Sequence, residues 1–141
     1  PVTCLPGTSK ELADQIARSV RRIGDYPRED AWDIPAVYVL INIGEPAIPA
    51  VLDLMLSDEE STRWRAETIL WKITRSMCGL GDNQSWPAER EAERIEKKAQ
   101  WEALWERLGP LDHDGSQADR ERAVRLWREW LSERASAGET D

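Results

Sequence analysis

The densest group of chemically capable side chains is the run Asp112-His113-Asp114-Gly115-Ser116. Asp, Asp and Ser at alternate positions are how a calcium-binding helix–loop–helix segment begins, with oxygen ligands spaced around one cation. Such a loop also needs Gly at its sixth position and Glu at its twelfth, where this chain has Gln117 and Ala123. The run therefore reads as a polar turn between helices, and no metal site is assigned. His113 is the sole histidine, so any Ser-His-Asp machinery would have to be built around it. Neither a nucleophile elbow nor a Gly-rich phosphate loop occurs. No catalytic residue and no cofactor follow from these patterns.

A second group suits binding better than catalysis. Trp64, Thr68, Trp71 and Arg75 fall at helical spacing along one stripe, opposite Ala66, Leu70, Ile73 and Met77, which form the expected core face. Tryptophan and arginine are the residue types enriched at binding hot spots, so an exposed stripe would be a partner-binding surface. The competing reading packs both tryptophans under flanking helices, as happens inside a stack of helices. Trp101, Trp105, Trp127 and Trp130 lie on two helices joined by a short loop and are expected to face one another. They form either a closing aromatic cluster or the wall of a ligand pocket. Trp32 and Trp86 sit at the starts of helices, as staples do. Cys4 and Cys78 match no metal-ligand spacing. They are two free thiols in a cytoplasmic protein, or one disulfide in an exported mature chain. Pro1 at the start fits trimming of an initiator Met or removal of a longer leader. Cys4 invites a lipid-anchor reading, which Thr3 before it disfavours.

The 141 residues carry 19 Lys+Arg against 27 Asp+Glu, a formal net charge of −8. That balance disfavours nucleic acid, whose affinity rests on cations facing phosphates. Hydrophobic residues at 40% and charged residues at 33% fit one globular domain, expected over 1–135, with 136–141 as a flexible tail. The most apolar stretch, Ile34 to Gly44, is too short to cross a bilayer and reads as a buried helix.

Start and stop signals place about six helices. Thr8-Ser9-Lys10-Glu11 reads as a capping box ahead of the stripe Leu12, Ile16, Val20 and Ile23, with Gly24 as the stop. Tyr26 to Asp30 reads as a loop, and Asp33 as the cap of an apolar helix from Ile34 to Ile43. Pro46 begins a third helix with Ile48, Val51, Leu52 and Met55 on its inner face. Ser57-Asp58-Glu59-Glu60 reads as the box of a fourth helix reaching Met77, and residues 79–83 as a loop. Ser85 and Pro87 begin a charged helix to Leu108, with Trp101, Leu104, Trp105 and Leu108 as its inner stripe. Its first half, Glu89 to Lys98, reads as a solvated face with weak ion pairs. Ser116-Gln117-Ala118-Asp119 reads as a third capping box, opening the last helix, which buries Ala123, Trp127, Trp130 and Leu131. From Glu133 the chain is expected to fray. No segment alternates as a half-buried strand does, so the fold class is all-α.

Residues 44–73 resemble one HEAT-type repeat. The residues that carry the likeness are Gly44, Pro46, Ala47, Pro49, Leu52, Leu56, Asp58, Arg63, Ala66, Leu70 and Ile73. Thr62, Trp64 and Trp71 depart from that family's pattern. Ile34 to Gly44 is similar to the second helix of a preceding repeat, and Ala123 to Leu131 to the Trp-rich closing helix of some bacterial HEAT-like proteins. The resemblance implies a short right-handed α-α superhelix of antiparallel helix pairs with capped ends. It also implies protein binding along a concave surface. A minority of such proteins, the bilin lyases, are enzymes, but no catalytic signature of theirs occurs here. The expected function is a non-catalytic protein-binding module or assembly subunit whose partner is a protein, a basic one among the options. The alternatives are a small acidic inhibitor or immunity-type protein, or a lyase-like enzyme with a Trp-lined pocket.

Overall fold

The computed structural model describes residues 3–25, 34–81 and 85–139. Among them are six α-helices and no strand: α1 (Lys10–Asp25), α2 (Pro35–Ile43), α3 (Ile48–Leu54), α4 (Glu60–Met77), α5 (Glu91–Leu108) and α6 (Gln117–Glu139). The fold is all-α. The expected loop at Tyr26 to Asp30, the Asp33 cap, the Trp32 staple and residues 82–83 of the loop after α4 lie outside the described residues.

Two of the three helix starts are capped differently from the sequence pattern. In α1 the Ser9 hydroxyl oxygen accepts the Leu12 N–H at 3.2 Å, whereas Thr8 donates its hydroxyl to the Leu5 carbonyl at 2.7 Å. The preceding turn consumes the Thr8 hydroxyl, so the cap moves one residue along. The Ser57 oxygen accepts the Glu59 N–H at 3.1 Å, two residues on rather than three. That contact makes a tight turn instead of a capping box, and α4 opens at Glu60. The third expected cap is present: the Ser116 oxygen accepts the Asp119 N–H at 3.1 Å.

Two prolines shape the start of α3. Pro46 lies in a short 3-10 turn, Glu45–Ala47, and Pro49 occupies the first turn of α3 itself. Pro49 lacks the N–H that would continue an α-helical ladder back to Glu45, so the tighter turn precedes the helix. Gly44, at φ 79°, ends α2 in a region that side-chain-bearing residues avoid. α4 ends in a Schellman arrangement: the Leu80 N–H reaches the Arg75 carbonyl at 2.8 Å and the Gly79 N–H that of Ser76 at 3.0 Å. Gly79 takes the left-handed position at φ 86°, and Leu80 is buried.

The most extensive packing joins α1 to α2 and α3 to α4, followed by α2 to α4. α6 crosses onto α3, and α5 packs on α4 and α6. Ile16 and Ile23 of α1, Val37 and Leu40 of α2, and Ile48, Val51, Leu52 and Met55 next to and within α3 are all fully buried. Each such side chain contributes about 1.5–3 kcal/mol through its removal from water. α2 is central, although Tyr38 faces outward. No single helix among the described residues is long and apolar enough to cross a membrane; α2 and the segment Glu45–Leu54 are apolar together but meet at 115°. α6 remains helical to Glu139, over residues expected to fray.

Candidate functional site

On α4, the expected inward face forms: Ala66, Leu70 and Ile73 are buried and Met77 packs against the core. Burial reaches further around the helix than the stripe implied, because Thr62, Arg65, Ile69 and Thr74 are enclosed as well. Arg65 places its guanidinium on the Ile23 carbonyl at 3.3 Å, where it meets the negative end of α1.

The four candidate binding residues fall between the two readings. Trp71 keeps 37% of its surface exposed, yet its edge meets Trp101 of α5 at 5.4 Å between ring centres and 87° between planes. Trp64 is half-buried. Thr68, one turn on, gives its hydroxyl to the Trp64 carbonyl at 3.0 Å, an intrahelical bond that leaves its methyl group to any contact. The Arg75 guanidinium lies 4.5 Å from the centre of the Trp71 ring and 4.9 Å from that of Trp101. Its Nε is buried without a hydrogen-bond partner, and no carboxylate pairs with it among the described residues. Two indole faces therefore hold this cation where an acidic group would ordinarily sit, each contact being worth about 0.5–2 kcal/mol.

Trp71 is also the first member of a continuous aromatic run. Trp101, Trp105, Trp127 and Trp130 follow, with ring centres 5.7, 5.4 and 5.4 Å apart. Arg134 closes the far end, 5.0 Å above Trp130. The four tryptophans expected to meet do so, Trp101 and Trp105 tilted at 46° and the other two contacts edge against face. Thr74 is their polar anchor. Its oxygen accepts the indole N–H of both Trp101 and Trp105 at 2.9 Å, and its proton goes to the Leu70 carbonyl at 2.7 Å. One donor and two acceptor positions of a hydroxyl are thereby filled. The Trp127 indole donates to the Gly109 carbonyl at 3.1 Å. Trp86 carries Arg90 and Lys97 over its face, so it packs beneath the start of α5.

The loop between α5 and α6 is tied down from three directions. Arg63 donates through Nε to the His113 carbonyl at 2.9 Å and through a terminal nitrogen to the Ser57 carbonyl at 3.0 Å. Glu67 accepts the His113 backbone N–H at 3.0 Å and faces its Nδ1 at 3.1 Å. Arg120, almost fully buried, reaches the Met55 carbonyl at 2.7 Å and the Gly115 carbonyl at 3.1 Å. The polar turn read at Asp112–Ser116 is present, with the Asp114 N–H bonded to the Asp112 carboxylate at 2.9 Å. Its links to α4 required Glu67, which no local pattern marks.

Two further features carry charge or thiol chemistry. The 3-10 turn Ala88–Arg90 and the first half of α5 that follows it are solvated and laced by pairs such as Arg90–Glu93 at 2.9 Å and Arg94–Glu91 at 2.6 Å. Hydrogen bonds from Arg90 and Lys97 hold the Glu93 carboxyl down from 4.5 to about 2. Cys4 and Cys78 are both free thiols and half-buried. Cys4 lines a groove of about 360 Å³ with Pro49, Arg128, Leu131 and Ala135, where residues 3–6 meet α6. Burial pushes the Cys78 thiol up, with Arg134 opposing.

In comparisons with protein-family models, curated proteins and solved structures, none matches this chain.

Proposed function

We propose that this chain is a non-catalytic, HEAT-like helical-repeat module that binds another protein, or serves as a subunit of a larger assembly. Its contact surface is the α4 face of Trp64, Thr68, Trp71 and Arg75. The observation that carries the reading is Arg75, bracketed by two indoles, without a carboxylate partner among the described residues, beside a Trp71 left over one-third exposed. A cation and an aromatic ring already fixed by packing lose little side-chain entropy when a partner covers them. The HEAT-like arrangement is supported by the pairing of α1 with α2 and of α3 with α4.

A net charge of −8 would speed encounter with a basic partner, most of all at low salt. That charge also favours a second reading, an acidic inhibitor that covers a basic site. In both readings nucleic acid is a poor partner. The test is affinity capture with three baits: the wild-type chain, the double variant Trp71→Ala/Arg75→Ala, and Trp86→Ala. Retention of one protein by the first and third but not the second supports the reading. Equal retention by all three would overturn it.

A further inference from the structure

We infer that His113, Asp114 and Glu60 form a binding site for a zinc-class divalent cation at the junction of α4 with the α5–α6 loop. One ligating atom from each of the three lies within 4.8 Å of the others, and Glu67, Asp112 and His113 make a second such trio. The site is therefore more than a cluster of acids, because its central donor is an imidazole and its two sides are chemically distinct.

The Nδ1 side of His113 is committed. Glu67 faces it at 3.1 Å and accepts the backbone N–H of the same residue at 3.0 Å, so this carboxylate both orients the ring and holds a proton on Nδ1. A carboxylate behind a histidine is the arrangement that fixes the tautomer of a metal-ligating imidazole and raises its basicity. It leaves Nε2 as the ring nitrogen turned away from Glu67. Asp114 then presents Oδ2 to Nε2 at 3.3 Å.

The separation suits a shared metal as well as a shared proton. An N–H···O bond places its heavy atoms about 2.7–3.2 Å apart. Two metal bonds of about 2.05 Å meeting at the tetrahedral angle place their ligand atoms about 3.3 Å apart. Nε2 and Asp114 thus stand at the separation that two ligands of one tetrahedral centre would have. Glu60 is exposed at the start of α4 and free to swing its carboxylate toward the third position, which leaves the fourth to water. Imidazole with carboxylates suits zinc and its first-row neighbours better than magnesium or calcium.

The surroundings favour a cation. Glu60, Glu67, Asp112 and Asp114 converge here, while the nearby guanidiniums of Arg63 and Arg120 are turned onto backbone carbonyls. Those same contacts pin the loop, so the ligands are held before any ion arrives.

The test uses the full chain, stripped with a chelator and titrated with zinc chloride by calorimetry and with cobalt(II) by visible absorption. One zinc per chain with micromolar affinity is expected, together with the intense absorption of tetrahedral cobalt. Asp114→Asn and Glu60→Gln alter exposed groups and leave the fold intact; each should weaken zinc at least about tenfold. Glu67→Gln should weaken it by about 10- to 100-fold through the ring's orientation. Asp58→Asn, outside both trios, should bind as the wild type does. Absence of saturable binding at millimolar zinc would overturn the inference. So would undiminished affinity in Asp114→Asn and Glu60→Gln, which would leave a proton as the centre between Nε2 and Asp114.

Discussion

Removing the Thr74 hydroxyl while keeping its shape isolates the polar anchor of the tryptophan run. Thr74→Val preserves the branched side chain and leaves the indole N–H groups of Trp101 and Trp105 without the oxygen they now share at 2.9 Å. An orphaned buried donor costs about 1–3 kcal/mol. Trp101 is buried and bears that cost in full, whereas half-buried Trp105 recovers part of it from water. The expected loss is about 2–4 kcal/mol, a large fraction of the stability of an ordinary domain. In a chain of this size it lowers the melting temperature by about 10 °C. Thr74→Ser keeps the oxygen and removes one methyl group, so it should cost only about 1 kcal/mol. Urea unfolding followed by tryptophan fluorescence and far-ultraviolet circular dichroism measures both. A Val variant within about 0.5 kcal/mol of wild type, or a Ser variant as unstable as Val, would refute the anchoring role.

Three further expectations rest on other parts of the fold. Arg120→Met strips the Met55 and Gly115 carbonyls of their buried donor, and the urea midpoint should fall by an amount worth about 2–4 kcal/mol; an unchanged midpoint would remove Arg120 as the clasp of the loop. Glu93 is held below its ordinary value of 4.5, so its pairing with Arg90 and Lys97 is complete above that value and is lost as pH falls toward about 2. A carboxyl titration by NMR should show that low midpoint and its rise in Arg90→Ala, and a midpoint near 4.5 in wild type would contradict the pairing. Because burial raises the Cys78 thiol, it should react with a disulfide reagent more slowly than free glutathione at pH 8. Equal rates would show that the site is open.

What could be read along the chain was what lies within a few turns of one helix. The stripe Leu12, Ile16, Val20 and Ile23 located α1 because apolar spacing reports a buried face directly. Caps were less legible: Thr8 and Ser57 satisfy the capping pattern, but their hydroxyls are spent on a preceding turn and a two-residue contact. Thr74 carried no signal at all, since a hydroxyl within a helix looks the same whether it faces water or two indoles from another helix. The Trp71–Trp101 contact and the Glu67–His113 clasp depend on how α5 and its following loop lie across α4. Nothing in local spacing encodes that docking. Trp71 and Trp64 were separable from the core by periodicity alone, but their degree of exposure depended on α5.

The most direct measurement of the proposed role is the dissociation constant of a captured partner for wild-type and Trp71→Ala chains, with Trp86→Ala as the control. A hot-spot tryptophan is worth about 2 kcal/mol or more, so Trp71→Ala should weaken binding about 30-fold, and Trp86→Ala should leave it unchanged. Equal dissociation constants for all three chains would contradict the assignment of the α4 face as the binding surface.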